Sequence, residues 1–355
     1  MIELDDLHIG QNDMTKLESY NKRNIVIISP RELGKSTYPF ILRSYFKFKE
    51  TQVCTLAIRR YVTDITDLFL VSVENCINKF TDDNVSIRWR RGKSGITFGY
   101  IHGYEKPFML IVPLNAPINR VKSAVLKVWS VQFDEFICNP DFKEKYLPSE
   151  AVRFEEVFRT FQRENPSLKA YFYGNPYSVF NPYFSSWNVD FGKLKPGAFY
   201  KNSNCVIKCG VLSEELKKQI LSRNPGYEFD DSYERYAFGG VAINDENKVI
   251  VPSQPRGYRL SYCFYYDNKT LGVYQTWDYT ADYPFWMGFV SDEGSRRKVF
   301  VYSFKDLVEN TAMLGRQDRQ NFCSFVNAIS CRCVAYQNLE ACYQAEMLYK
   351  MLGGR

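Results

Sequence analysis

"NIVIISPRELGKSTYPF", residues 24–40, runs through three textures within one short stretch. Ile25, Val26, Ile27 and Ile28 form an unbroken β-branched run, which predicts a strand over Asn24–Ser29 buried on both faces, as in a parallel sheet. Tyr38, Ile41, Leu42 and Tyr45 then recur at helical spacing. Between them lies the loop Ser29-Pro30-Arg31-Glu32-Leu33-Gly34-Lys35-Ser36-Thr37. In a strand–loop–helix of this kind, backbone N–H groups and the helix N-terminus cradle phosphates. The lysine reaches the β and γ oxygens, and the hydroxyl after it ligates Mg²⁺. Gly34, Lys35 and Ser36 fit those roles, whereas the usual first glycine is Ser29, so the general pattern is incompletely matched. ATP and Mg²⁺ are the expected ligands of the whole loop, from Ser29 to Thr37.

A second Gly-Lys-Ser occurs at 92–94, inside "VSIRWRRGKSGITFGYI". There Ile87 and Trp89 alternate with arginines before the triplet, and Ile96 and Phe98 alternate after it. That period of two predicts a hairpin turning at Gly92–Gly95, with no helix to supply a phosphate site. Context therefore assigns nucleotide binding to the first copy.

A phosphate loop that hydrolyses ATP needs a second strand ending in acids near the metal. "AVLKVWSVQFDEF" supplies one: Val125, Val128, Val131 and Phe133 lead into Asp134 and Glu135. Asp134 is assigned with Ser36 to Mg²⁺, and Glu135 to polarising the attacking water. A third strand, Leu168–Tyr173, ends at Gly174-Asn175. Asn175 either senses the γ-phosphate from the tip of a neighbouring strand or simply forms a turn with Pro176.

Several arginines are candidates for countering phosphate charge. "CTLAIRRY" is a strand ending at Arg59-Arg60, which either contact phosphate or base or form a solvated strand end. Arg120 and Lys122 precede the Asp-Glu strand with the same alternatives. In "SEAVRFEEVFRTFQREN" a stripe of Phe154, Val157, Phe158 and Phe161 predicts an amphipathic helix. Arg153, Arg159 and Arg163 lie off that stripe; one of them could stabilise transition-state charge, sometimes across a subunit boundary, or all could merely solvate the helix.

With 355 residues the chain is long enough for two domains. A net charge of +6 suits a polyanionic partner without requiring one. No apolar window reaches membrane-spanning length, and the acidic start MIELDDLHIG is unlike a signal peptide, so a soluble intracellular protein with no membrane partner is expected. The ten cysteines lack Cys-x-x-Cys spacing and only His8 and His102 accompany them, which favours reduced structural thiols over zinc. The 26 Tyr and 27 Phe are read as core packing rather than as base-stacking platforms.

The first domain, an α/β unit with a mostly parallel sheet, is expected over 1–210. Residues 211–244, with Asn224-Pro225-Gly226 and Gly239-Gly240, read as a linker. Beyond it, over 245–355, "YRLSYCFYYDNKTLGVYQTWDY" is a hairpin turning at Asp267-Asn268-Lys269, "KVFVYSF" is a strand, and the residues from 305 onward read as helices, giving an α+β domain.

Taken together, Ser-x-Arg-x-x-Gly-Lys-Ser at 29–36, Arg59-Arg60-Tyr61, Phe133-Asp134-Glu135-Phe136, Val157-Phe158-Arg159 and Asn181-Pro182-Tyr183-Phe184 resemble the DNA-packaging (encapsidation) ATPases of small, protein-primed, short-tailed phages. These are compact relatives of terminase large subunits, and the order and spacing agree through about residue 190. The resemblance implies a P-loop NTPase of the ASCE type, assembled as a pentameric homo-oligomeric ring at the portal vertex of a prohead in the host cytoplasm, pumping double-stranded DNA inward. It carries over Lys35 and Ser36 as the Walker A pair, Asp134 and Glu135 as the Walker B pair, Arg31 as the arginine within the loop, Asn175 as the coupling position and Arg159 as a finger acting in trans. Lys122 matches only with a gap. A serine in the place of Ser29 is common among terminases. The second domain would be RNase H-like. Two-metal cutting needs converging carboxylates, whereas Asp267, Asp278, Asp282 and Asp292 fall mostly in turn-like segments. The nuclease therefore reads as vestigial, with docking to the portal or a packaging RNA in its place and Arg256, Arg259, Arg296, Arg297 and Lys298 as contacts.

Overall fold

The computed structural model describes residues 14–30, 34–139, 144–177, 181–189, 197–211, 249–266, 269–278, 280–290, 299–301, 311–313, 322–330 and 333–351, with a few isolated positions between 193 and 222. The chain divides into two compact units, 1–243 and 244–355.

The first unit is a mixed α/β layer structure on a nine-stranded sheet of order β3-β4-β5-β2-β6-β7-β1-β9-β8. Its strands are β1 Asn24–Ile28, β2 Cys54–Arg59, β3 Ile87–Arg91, β4 Thr97–Ile101, β5 Met109–Pro113, β6 Val128–Asp134, β7 Lys169–Gly174, β8 Phe199–Lys201 and β9 Cys205–Cys209. The run β5-β2-β6-β7-β1-β9 is parallel throughout. Every residue of β1 and of β5 is buried, as helices on both faces demand. The hairpin β3–β4 and the short β8 add antiparallel edges.

Strand order reverses beside β1, the place where open parallel sheets bind ligands at their carboxyl ends. Register sharpens this: Asp134 stands level with Tyr173, and Tyr173 with Ile27, so the last residue of β6 and the penultimate residues of β7 and β1 form one row across the sheet. The loop leaving β1 thus starts beside the acidic end of β6.

Side chains that alternate along β6 go to opposite faces. Phe133 joins Phe154, Phe172 and Tyr183 in an aromatic cluster under the helix Glu150–Gln162, with ring centroids 5.7 to 6.0 Å from Phe133. The predicted stripe Phe154, Val157, Phe158 and Phe161 is buried in full. Truncating a member such as Phe154 to alanine costs about 3–5 kcal/mol by lost burial and cavity formation. Gln132 and Asp134 face the other way, toward the segment that follows the loop after β1.

That segment starts with a wide turn, Thr37–Leu42, and continues as a regular helix, Arg43–Thr51. Pro39 has no N–H to give, and the backbone widens around it: Ile41 N–H bonds the Ser36 carbonyl five residues back at 3.1 Å. Arg43 N–H goes to the Phe40 and Tyr38 carbonyls and bypasses that of Pro39. The bypassed oxygen lies 3.1 Å from the buried Tyr173 hydroxyl, which is also 2.6 Å from Gln132 Oε1.

The second unit holds a seven-stranded mixed sheet of order β10-β16-β13-β12-β11-β14-β15. Its strands are β10 Val249–Ile250, β11 Arg259–Tyr266, β12 Lys269–Gln275, β13 Phe285–Phe289, β14 Val299–Val301, β15 Thr311–Met313 and β16 Val334–Tyr336, with helices Cys323–Ser330 and Leu339–Met351. The expected hairpin is β11–β12, although its turn residues Asp267 and Asn268 lie outside the described residues. The expectation of helices alone beyond 305 is corrected: β15 and β16 are strands, and β16 pairs in parallel with both β13 and β10. Three-residue strands are too short to show a period, so the helical spacing around them dominated the reading. The expected linker lies largely outside the described residues.

Candidate functional site

Asp134 ends β6 as a nearly buried carboxylate. Its Oδ1 accepts from the Ser36 hydroxyl at 3.0 Å, joining residues 98 positions apart, and from the Glu135 N–H at 3.1 Å. Burial pushes the Asp134 carboxyl above its usual range and the neighbouring Glu135 adds to this; Arg59, the Ser36 hydroxyl and Lys35 oppose it. A carboxylate with too little countercharge beside a hydroxyl is a fitting donor set for a hard divalent cation. Among the described residues no group of three or more His, Cys, Asp or Glu is arranged to hold a metal.

Lys35 is buried, and its ammonium donates to the Pro30 carbonyl at 3.0 Å, so it is held within the loop. Gly34 takes φ +65°, a left-handed conformation that glycine adopts without strain. Thr37 and Tyr38 N–H groups both bond the Gly34 carbonyl at 3.1 Å and close the first turn. Ser29 is buried and its N–H bonds the Gly174 carbonyl at 3.1 Å, which brings the tip of β7 against the start of the loop. Asn175 follows directly. Its Oδ1 is buried with no hydrogen-bond partner, and its amide lies 3.4 Å from the Tyr177 hydroxyl. An orphaned buried acceptor is costly, and a ligand or its water that donates to it would remove the cost. Arg31, Glu32 and Leu33 lie outside the described residues.

Arg59 and Arg60 are neither a solvated strand end nor equivalent. The period of two sends them to opposite faces of β2. Arg59 stacks over Phe69 at 4.4 Å and faces both acids, with its guanidinium 3.2 Å from Glu135 and 3.9 Å from Asp134. Arg60 is buried on the other face, where it donates to Glu150 and to the carbonyls of Glu135 and Phe136. Sequence reasoning missed Glu150, a fully buried acid in the first turn of the helix 150–162. Nothing in the spacing of residues 90 apart announces that pair.

The helix Glu150–Gln162 runs back along the sheet. Its first turn meets the carboxyl end of β2 through Arg60. Its middle reaches the amino end, where Glu155 accepts from both guanidinium nitrogens of Arg23 at 2.9 Å, one residue before β1. Arg159 is exposed there and bonded to Glu155 at 2.8 Å. Through Glu155 and Arg23 it stands near the amino end of β1, whereas the Gly34-Lys35-Ser36 loop leaves the carboxyl end of that strand. Arg153 is tied to the Pro148 carbonyl at 3.1 Å, and Arg163, Arg120 and Lys122 are exposed.

The second Gly-Lys-Ser is the predicted hairpin turn between β3 and β4. In the second unit, Asp278 accepts from the N–H and hydroxyl of Thr280 at 2.9 and 2.7 Å, an acid occupied by its own turn. Asp282, Arg256 and Arg259 are described; Asp292, Arg296, Arg297 and Lys298 are not. The described cysteines outside any disulfide include Cys54 and Cys205, both buried. No helix among the described residues is long and apolar enough to cross a membrane.

A family model described as Podovirus DNA encapsidation protein (Gp16) matches residues 9–351. The DNA packaging proteins of Bacillus phages phi29 and PZA are each 24% identical over 309 residues, covering 84% of this chain and 84% of theirs. Among solved structures, a chain of the bacteriophage phi29 genome packaging motor assembly superposes with a TM-score of 0.65 at 20% identity, covering 96% of this chain and 98% of its own. A chain of the phi28 gp11 DNA packaging motor gives 0.63 at 15% identity, covering 96% and 97%. These likenesses show a shared fold across both units.

Proposed function

The chain belongs to the podovirus DNA encapsidation (Gp16) family and works in the packaging of phage DNA, and from that premise we propose that it is the ATPase of the motor, driving double-stranded DNA into a preformed prohead. The observation that carries this reading is the 3.0 Å bond from Ser36 to Asp134, which unites the phosphate loop and the acidic strand in one cleft.

Lys35 would exchange its Pro30 carbonyl for the β and γ oxygens of ATP. Ser36 and Asp134 would hold Mg²⁺, which supplies charge neutralisation of the phosphates when bound. Glu135 orients and polarises the attacking water. Arg59 holds the Glu135 carboxylate at 3.2 Å, so that contact loosens for Glu135 to act on water. Asn175, with its unpartnered oxygen at the end of β7, is suited to sense the γ-phosphate or its water.

Arg159, exposed and remote from its own loop, is offered to a neighbouring subunit. This supports a homo-oligomeric ring, a pentamer by family resemblance, seated at the portal vertex in the host cytoplasm with the portal and a packaging RNA as partners. The second unit is read as an RNase H-like domain without nuclease activity, a reading supported by the turn role of Asp278. Its work would be docking to the portal or RNA.

A mixing experiment tests the scheme. Glu135→Gln should bind ATP and lose hydrolysis by at least about 10²-fold, as expected for removal of a group acting on the water. Arg159→Ala should also be inactive alone. Combined on proheads, the two should partly restore hydrolysis, because an Arg159 from a Glu135→Gln subunit can serve an intact neighbouring site. No recovery on mixing, with both variants assembled, would contradict a trans role.

A further inference from the structure

We infer that Arg60 is a positioning residue for hydrolysis, holding Glu135 from behind and tying that hold to Glu150 at the head of the helix that carries Arg159; this rests on the reading of Glu135 given above. Glu135 takes φ +57°, a left-handed conformation that an ordinary side chain adopts only when the surroundings impose it. Its N–H is bonded to Asp134 Oδ1 and its carbonyl is held by a guanidinium. Arg60 Nη1 donates to the Glu135 carbonyl at 3.2 Å and Nη2 to the Phe136 carbonyl at 2.6 Å, so both carbonyls that follow the strand end are held by a single planar group.

The group is itself fixed. Its Nε lies 3.0 and 3.2 Å from the two carboxylate oxygens of Glu150, and its plane is near the rings of Tyr146 and Phe133 at 5.2 and 5.7 Å. Glu150 is held in turn by the Tyr183 hydroxyl at 2.8 Å and the Leu147 N–H at 2.7 Å. A buried pair of this kind is weak evidence for stability, since well-packed apolar residues often replace such pairs at no loss. What apolar residues cannot replace is the pair of donors to the Glu135 and Phe136 carbonyls. Arg59, its neighbour in sequence, holds the Glu135 side chain from the opposite face of β2 at 3.2 Å. The two arginines therefore grip one residue from two sides, Arg59 by its carboxylate and Arg60 by its backbone.

The test uses the full chain and two variants. Arg60→Met/Glu150→Leu removes the charge pair together, keeping an apolar fill; Arg60→Lys keeps the charge opposite Glu150 but cannot span both carbonyls. Each is measured for ATP binding, thermal melting and steady-state turnover. The expected result is a kcat at least about tenfold lower, as a misplaced catalytic group implies, with nucleotide Kd within about twofold in any variant that melts cooperatively. A folded variant of either kind with kcat within about twofold of the natural chain overturns the inference. So does loss of cooperative melting in both, which would make the pair an element of stability alone. A natural chain that fails to hydrolyse ATP, or a Glu135→Gln variant that still does, would instead sink the proposed function.

Discussion

Gly34-Lys35-Ser36 and Gly92-Lys93-Ser94 are the same three residues in two settings, and the molecule treats them as unrelated. At the first, a buried parallel strand precedes and a helix follows, so Lys35 is drawn inward and Ser36 meets Asp134. At the second, two antiparallel strands flank the triplet, Lys93 is exposed, and Gly92 N–H closes the turn on the Ile96 carbonyl at 2.7 Å. On the proposed reading, phosphate chemistry belongs to the strand–loop–helix and its neighbours in the sheet, and the triplet only decorates it.

The largest effect that could break this contrast is on turnover. Lys35→Ala should lower steady-state ATP hydrolysis by about 10²-fold or more, the scale seen when one charge-stabilising donor is removed from a transition state. Lys93→Ala should stay within about twofold under the same assay. Comparable losses in both would mean that the hairpin takes part in the chemistry.

A second comparison concerns the buried acid that the first triplet has and the second lacks. Burial and Glu135 raise the Asp134 carboxyl above its unfolded value. A group shifted in that direction favours the fold while it is protonated, below its unfolded pKa, and that contribution is lost as pH rises through the folded value. Without nucleotide, Asp134→Asn should therefore melt above the natural chain at neutral pH, and the advantage should shrink as acidification protonates Asp134. Mg²⁺-ATP should raise the melting temperature of the natural chain and barely that of Asp134→Asn. Thermal scans across pH, with and without Mg²⁺-ATP, read both signs.

The smallest effect separates the two turns as backbone. Gly34 sits at φ +65° with nothing within 4 Å of an added Cβ, so Gly34→Ala meets only left-handed strain of about 1–2 kcal/mol. Gly95 sits at φ +77°, and its Cβ would come 2.7 Å from Val62. Gly95→Ala should accordingly destabilise more than Gly34→Ala, while only the latter weakens nucleotide binding. Denaturant midpoints and an ATP titration of both variants check the inversion.

Much of the site was legible because its signals are local. The β-branched run of β1, the alternation around Gly92–Gly95 and the apolar approach to Asp134 each declare an element within a few residues. Even the division of Arg59 from Arg60 follows from strand periodicity, once both are known to lie at the end of β2. The partners of Arg60 were not legible, because a buried acid in the first turn of a distant helix looks in sequence like any other helix-starting glutamate. The wide turn after the loop was half legible: Pro39 has no N–H to donate, but only the fold shows Tyr173 meeting the Pro39 carbonyl that Arg43 bypasses. In the second unit, strands of three residues gave no period to read, and β15 and β16 were lost among helical spacings.

The most direct test of the account is an electron paramagnetic resonance titration of Mn²⁺ with a saturating non-hydrolysable ATP analogue. One tightly bound Mn²⁺ per chain is predicted, retained in Lys93→Ala and lost in Asp134→Asn. Tight Mn²⁺ that survives Asp134→Asn, or disappears with Lys93→Ala, would contradict a shared metal site between the loop after β1 and the acid at the end of β6.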